Sequence, residues 1–421
     1  MRIEIICTGD EVLTGKIVNS NFSYMAQKLE DVGLDVVWGT TVGDDRETLL
    51  AAFRQAGERA DLVIVNGGLG PTVDDLSQEI AAQAAGVGLE LHGAWLVQMT
   101  EFFTRRGRTM SDNNRKQAML PAGAEMLDNP IGTACGFALD IGRARFFFTP
   151  GVPRELHRML EQQIVPRMLA RSGAPATIQL KRFHCYGLSE SHIDQMLTGV
   201  EALDPDGRVK LGFRAHYPQI EIKLTVRGTD TADVARRLAP VQAEVRRRIG
   251  NFILAEDGET LEGVVLAALT ADRATLALVE SFTAGQIAGR LFHLRGADAV
   301  MLRAIVARDP NQVAAAVGLP AGTSGYSQSM AEAVAAAARS SAGATHALAV
   351  LIELDEGPDR IDIGGTIHLV VATAATTVYR HARILGGRDW VRLGAIEMGL
   401  DCLRRFLQHL PVDQRTDFEK A

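Results

Sequence analysis

Apolar runs and amphipathic stretches alternate over the first 170 residues. Arg2–Cys7 is a short β-rich run, Asn21–Leu29 repeats its apolar positions at helical spacing, and Asp35–Val42 returns to an extended pattern. Arg46–Ala56 again reads as a helix, and Asp61–Val65 is the kind of apolar run that a parallel strand buries on both faces. Repeated β-α-β units of this sort predict a doubly wound α/β sheet with helices on both sides. Such sheets bind ligands outside the carboxyl ends of their strands. Polar, glycine-rich segments stand at those ends: Gly9-Asp10-Glu11 after the first strand, Gly43-Asp44-Asp45 after the second, and Asn66 to Asp75 after the third.

The pattern changes near Pro175. Ile178–Tyr186 is strand-like, Glu190–Leu197 a short helix, Arg208–Phe213 and Gln219–Arg227 paired strands, and Thr231–Ile249 a long helix. This predicts a small α+β unit over residues 175–251, after a first domain at 1–172. A third, α/β domain is predicted over 259–410. Its strands are Thr275–Val279, Val300–Val306, His346–Glu353, Thr366–Ala372 and Thr377–Ile384, and its helices Gly285–Phe292, Met330–Ser340 and Val391–His409. The tail after Pro411 is polar and reads as loose.

Composition narrows the class. A chain of 421 residues exceeds what one core usually holds. With 47% hydrophobic and 23% charged residues it is not a wholly disordered chain. A net charge of -7 argues against a protein built to coat phosphate backbones. The first residues carry Glu4, Asp10 and Glu11 and lack a long apolar core, unlike a signal peptide, and no apolar run of ~18 residues predicts a membrane span. Cys7, Cys135, Cys185 and Cys402 form no CxxC pair. That argues against a zinc cage or disulfide framework and for a reducing, cytoplasmic setting.

The segment Asn66-Gly67-Gly68-Leu69-Gly70-Pro71-Thr72-Val73-Asp74-Asp75 is the most specific local signal. Three glycines in four positions let backbone N–H groups approach an anion. The Thr72 hydroxyl is placed to cap the following helix and to bond a phosphate oxygen. Asp74 and Asp75 then fall at the start of that helix, where a divalent metal would need them. A tight strand-to-helix turn with an ordinary Asp cap stays open as the plainer reading. Similar polar turns at Asn129-Pro130-Ile131-Gly132-Thr133 and Pro150 to Glu155 favour a site. Asp45 and Glu11 read as solvated helix caps.

Six ordered motifs carry a family resemblance: GDEVLTGKIVNSN (9–21), VGDDRE (42–47), NGGLGPTVDD (66–75), NNRKQAMLP (113–121), NPIGTACGF (129–137) and PGVPRE (150–155). Together they resemble the N-terminal domain of the CinA (competence/damage-inducible protein A) family, which shares the molybdopterin-binding fold. The resemblance implies a divalent-metal-dependent ADP-ribose pyrophosphatase, and a homodimer. Pterin-binding relatives use an Asp at the position matching Asp75. Pyrophosphate cleavage needs neutralised oxygens and an oriented water. Asp44, Asp74 and Asp75 are candidates to hold Mg, Mn or Co, with Asp75 and Asp44 as catalytic residues. Gly67, Gly68, Gly70, Thr72, Asn129, Gly132 and Thr133 are candidates to bind the phosphates of a nucleotide substrate.

Residues 175–251 are similar to the KH-like segment of the same family. They lack the GXXG loop that clamps an RNA backbone, and Arg246-Arg247-Arg248 reads as a solvated face, so nucleic acid is not expected as a partner. Glu280-Ser281-Phe282-Thr283-Ala284-Gly285 resembles the E-S-C-T-G-G motif of the CinA C-terminal domain, a nicotinamide-mononucleotide deamidase in active members. Ser281 is the candidate nucleophile there, with Thr283 and Gly285 beside it. The family's Tyr and Lys fall on Arg308 and Val313, and no lysine occurs between Lys223 and Lys420. The expectation is a pyrophosphatase with a degraded deamidase domain. An active deamidase and a non-enzymatic molybdopterin or nucleotide binder are the alternatives.

Overall fold

The two apolar runs near the N-terminus form the middle of a sheet. In the computed structural model, β1 (Ile3–Thr8) lies between β2 (Val36–Val42) and β3 (Leu62–Asn66) and runs parallel to both. Every residue of β1 and β3 is buried, whereas the edge strand β2 alternates between exposed and half-buried positions. After a separate antiparallel pair, β4 (Leu89–Leu91) and β5 (Met119–Pro121), the strands β6 (Glu125–Leu127), β7 (Gly136–Ile141) and β8 (Ala144–Thr149) complete the order β2-β1-β3-β8-β7-β6. β8 is parallel to β3; β7 is antiparallel to both of its neighbours.

Alternation along the strands sends side chains to two cores. Ile6, Val63 and Val65 pack with Leu49, Phe53 and Ile80 on one face. Ile5, Cys7 and Ile64 pack with Met25, Leu29, Leu156 and Leu160 on the other. Each such side chain contributes about 1.5–3 kcal/mol when buried, so only cover on both faces satisfies both sets. That is the doubly wound arrangement.

The structure describes residues 1–172, 177–320, 325–355 and 364–420. They form two compact bodies, Met1–Gln179 and Leu180–Ala421. In the second, β9 (Thr177–Tyr186), β10 (Val209–His216), β11 (Gln219–Gly228) and β12 (Ile253–Glu256) form a sheet of order β10-β11-β9-β12. Helices Glu190–Leu197 and Thr231–Ile249 bury Ile193, Leu197, Val234 and Val241 against it. A further sheet, β14-β13-β15-β16-β17, combines β13 (Leu276–Glu280), β14 (Met301–Val306), β15 (His346–Leu354), β16 (Gly364–Ala372) and β17 (Thr377–Leu385). Helices Leu261–Ala271 and Arg388–Leu407 cover one face and Gln328–Ala342 the other.

The Arg246–Arg248 run lies on a solvated face, with Arg246 and Arg247 exposed, and its charges pair locally: Arg246 with Glu256 at 2.7 Å, and Arg247 and Arg248 both with Glu244 at 2.6 Å. One expectation needs correction here: the tail is not loose. The buried guanidinium of Arg380 donates to the carbonyls of Val412 (3.0 Å) and Gln414 (3.1 Å) and pairs with Glu419. Arg405, which with Arg404 shares the buried carboxylate of Asp401, donates to the carbonyl of Pro411 at 3.1 Å. Asp417 accepts from the Ser189 N–H at 2.7 Å, and the Phe418 ring packs beside Tyr186 and Tyr217. Polar tail residues thus serve charges buried in β17 and the last helix. All four cysteines are buried and unbridged. No described helix is long and apolar enough to cross a membrane.

Ending the chain at Leu410 strips Arg380 and Arg405 of these acceptors. Stability should fall by about 3–5 kcal/mol, the usual effect of breaking a buried ion pair, read as a lower urea midpoint. An unchanged midpoint would contradict the strap.

Candidate active site

Three strand ends converge because of one buried amide. Asn66, the last residue of β3, donates through Nδ2 to Thr149 Oγ1 (3.1 Å) and to the Pro150 carbonyl (2.7 Å). Its Oδ1 accepts from Asn21 Nδ2 at 2.9 Å, and that same group donates to the Gly151 carbonyl at 2.7 Å. The chain then passes through Gly67 (φ 114°) and Gly68 (φ 68°), conformations that glycine adopts without strain. A side chain at Gly67 would strike Thr8, and one at Gly70 would collide with the Asp75 carboxylate.

A cleft of about 380 Å³ opens at these ends. Gly67, Gly68, Gly70, Asp44, Asp74, Asp75 and Thr133 line it, as the sequence reading placed them. Thr72, Asn129 and Gly132 do not. Thr72 does not cap the next helix, which starts at Ser77 behind Leu76. Its N–H donates to Asp75 Oδ2 at 2.9 Å and its hydroxyl bonds the same oxygen, closing a turn within the loop. Asp74 and Asp75 therefore lie in that turn, before the helix. Asn129 is buried and donates to the Ala134 carbonyl (2.9 Å) and to Glu155 Oε2 (2.7 Å). Asp45 is an N-cap, accepting from the Thr48 N–H at 2.9 Å, but Glu11 lines the cleft.

Thr8, Gln117 and Glu155 also line the cleft and were not among the candidates. Thr8 Oγ1 is buried with no hydrogen-bond partner among the described residues. Gln117 donates to the Leu69 carbonyl at 3.2 Å, holding the glycine loop. The motif positions of Gln117 and Glu155 were visible; their direction was not. Electrostatically the cleft is divided. Burial, then the charges of Asp10, Glu11 and Asp74, hold Asp44 above the usual carboxylate range. The Thr72 hydroxyl holds Asp74 below it.

The second strand-end loop is built differently. Ser281 and Thr283 are fully buried. Ser281 Oγ accepts from the Ile352 N–H at 2.8 Å and has the Tyr326 hydroxyl as a side-chain neighbour. Thr283 donates to the buried Glu280, which also accepts from the N–H groups of Ile287 (3.1 Å) and Ala288 (2.9 Å). Gly285 (φ 75°) leads into helix Gln286–Phe292. A nearby cleft of about 470 Å³ is lined by Phe282, Ala284, Val306, Ala307, Arg308, Arg388, Asp389 and Arg392, without Ser281 or Thr283.

Residues 4–170 match the probable molybdopterin binding domain, 180–255 the damage-inducible protein CinA KH domain, and 258–407 the CinA C-terminal domain. A CinA-like protein from Frankia casuarinae is 37% identical over 99% of this chain and 98% of its own length. The chain belongs to the CinA family. A CinA-like protein from Anaeromyxobacter sp. is 38% identical, covering 97% of this chain and all of its own. Among solved structures, CinA from Thermoplasma acidophilum is 33% identical over 38% of this chain and 94% of its own, with a TM-score of 0.36. The molybdopterin biosynthesis enzyme MoaB from Thermus thermophilus is 17% identical over 41% and 92%, with a TM-score of 0.28.

The Asn66 tie yields a stability prediction. Asn66→Ala leaves the Pro150 carbonyl and the Asn21 amide short of partners, which should lower stability by about 1–3 kcal/mol in urea titration. A variant with the wild-type midpoint would show that the tie does not hold these loops.

Proposed function

We propose that the N-terminal cleft hydrolyses the pyrophosphate bond of a nucleotide such as ADP-ribose. What carries this reading is a phosphate-binding floor facing carboxylates within one cleft: Gly67, Gly68, Gly70 and Thr8 against Glu11, Asp44, Asp74 and Asp75. The glycine loop and the Thr8 hydroxyl bind non-bridging phosphate oxygens, and Gln117 keeps the loop in place. Water reaches the phosphorus from the carboxylate side, where Asp75 orients it.

The donor set suits a divalent cation. Among the described residues no three His, Cys, Asp or Glu side chains form a ready cage. Mg²⁺ is commonly held by one or two carboxylates together with substrate phosphates, so a cage is not required. Burial is the main cause that raises Asp44; the charges of Asp10, Glu11 and Asp74 add to it, and that smaller part is what a cation would offset. Asp44, Asp74 and Asp75 would hold Mg, Mn or Co. Such an ion supplies charge neutralisation at the phosphate oxygens.

The deamidase alternative has less support, because the Ser281 hydroxyl is committed inside the protein and its domain offers no lysine as base. A non-enzymatic nucleotide binder would bind the same compounds without turnover.

Asp75→Asn should lower metal-dependent ADP-ribose hydrolysis by at least ~100-fold with an unchanged unfolding midpoint, and a chelator should abolish it in the wild type. Near-normal turnover in that variant removes Asp75 from the mechanism; no turnover in the wild type with Mg²⁺, Mn²⁺ or Co²⁺ favours the binder.

The full chain should release no ammonia from nicotinamide mononucleotide above background. General-base help is worth roughly 10²–10⁴-fold, and neither the family's Tyr nor its Lys is present to give it. Ammonia release that disappears in Ser281→Ala would overturn this.

A further inference from the structure

Glu155 differs from the other carboxylates of the N-terminal cleft. It is half-buried, lines the wall formed by Pro150–Val152 and Thr133–Ala134, and forms no salt bridge among the described residues. One oxygen, Oε2, accepts from Asn129 Nδ2 at 2.7 Å. Asn129 is itself 1% exposed and locked by its second bond to the Ala134 carbonyl. The carboxyl also lies against Gly132, where any side chain would collide with it. Two residues from one turn thus fix a single carboxyl, leaving Oε1 without a hydrogen bond among the described residues.

We infer that Glu155 is the proton donor to the departing phosphate in the reaction proposed for this cleft; the inference rests on that reading. Water adds to one phosphorus, the bridging P–O bond breaks, and its electron pair stays on the departing phosphate oxygen. That oxygen takes the proton from Glu155 Oε1. The proton lost by the attacking water passes to solvent, and Glu155 recovers its own from solvent. The Asn129 amide, which can only donate here, leaves Oε2 as the carbonyl oxygen of the acid and Oε1 as its hydroxyl. Burial supports the acid form by raising Glu155, against the opposing effects of Asn129 and the charge of Arg106.

The test compares two leaving groups in the full-length protein. Glu155→Gln should slow ADP-ribose hydrolysis by about 100-fold or more, the usual contribution of an acid catalyst. The same variant should lose less than about 10-fold on a nucleoside 5′-phosphorofluoridate, whose fluoride, the anion of a much stronger acid than a phosphate monoester, leaves without a proton. Its unfolding midpoint should match the wild type. Glu155→Asp, which keeps an acid, should retain more ADP-ribose turnover than the Gln variant. Equal losses on both substrates, or no loss on either, would overturn the inference while the pyrophosphatase reading stands. A wild-type protein that hydrolyses neither compound overturns both.

Discussion

Everything at the N-terminal cleft depends on the side-chain amide of Asn66. A buried primary amide without partners costs several kcal/mol, so this one is tolerable only while Asn21, Thr149 and the Pro150 carbonyl stay within reach. The consequence is geometric. The segments after β1, β3 and β8 cannot separate without breaking it, and the glycine loop leaves β3 at a fixed angle past Thr8. An aliphatic residue at this position would continue the buried run of β3 and remove the reason for three loops to meet.

How much of this was legible varied with how local each cause is. Unbroken apolar runs at β1 and β3 announce two-sided burial, so the doubly wound sheet followed from pattern alone. The glycine loop and its carboxylates were equally visible, since Gly67 to Asp75 are contiguous. Thr72 was misread because a threonine before a helix resembles a cap, and only the fold shows its hydroxyl turned to Asp75. Asn129 looked like a phosphate ligand; its amide instead points at a residue 26 positions later. Glu155, near the start of a helix, was indistinguishable from an ordinary first-turn acid. The tail was hidden for a similar reason: Arg380 and Glu419 are 39 residues apart, and composition alone cannot pair them.

The two strand-end loops of this chain differ in what they leave available to a ligand. After β3, Asp74 and Asp75 line a cleft, beside Thr8 at the end of β1, whose Oγ1 has no hydrogen-bond partner among the described residues. After β13, the corresponding polar groups satisfy one another: Glu280 accepts from Thr283 and two backbone N–H groups, and Ser281 accepts from Ile352. Such a loop is stable because nothing in it is left over for a ligand. Phe282 (φ 64°) and Ala284 (φ 57°) hold left-handed conformations that cost non-glycine residues roughly 1 kcal/mol or more, and the internal bonds sustain them.

The charge pattern of the first cleft sets a condition on its ligands. On the proposed reading, Glu11, Asp44, Asp74 and Asp75 would repel the phosphate that the glycine loop would attract, so the cleft would work against its substrate while those charges stood uncompensated. A cation relieves this repulsion at both partners, because it screens the carboxylates from one another and from the phosphate. Binding free energies are reciprocal, so whatever a cation adds to nucleotide affinity the nucleotide adds to cation affinity. The want of a preformed cage among the described residues is then consistent with a site that is completed only when both ligands are present. In that proposed arrangement the protein would contribute the floor and the acidic wall, and the phosphate the remaining oxygens.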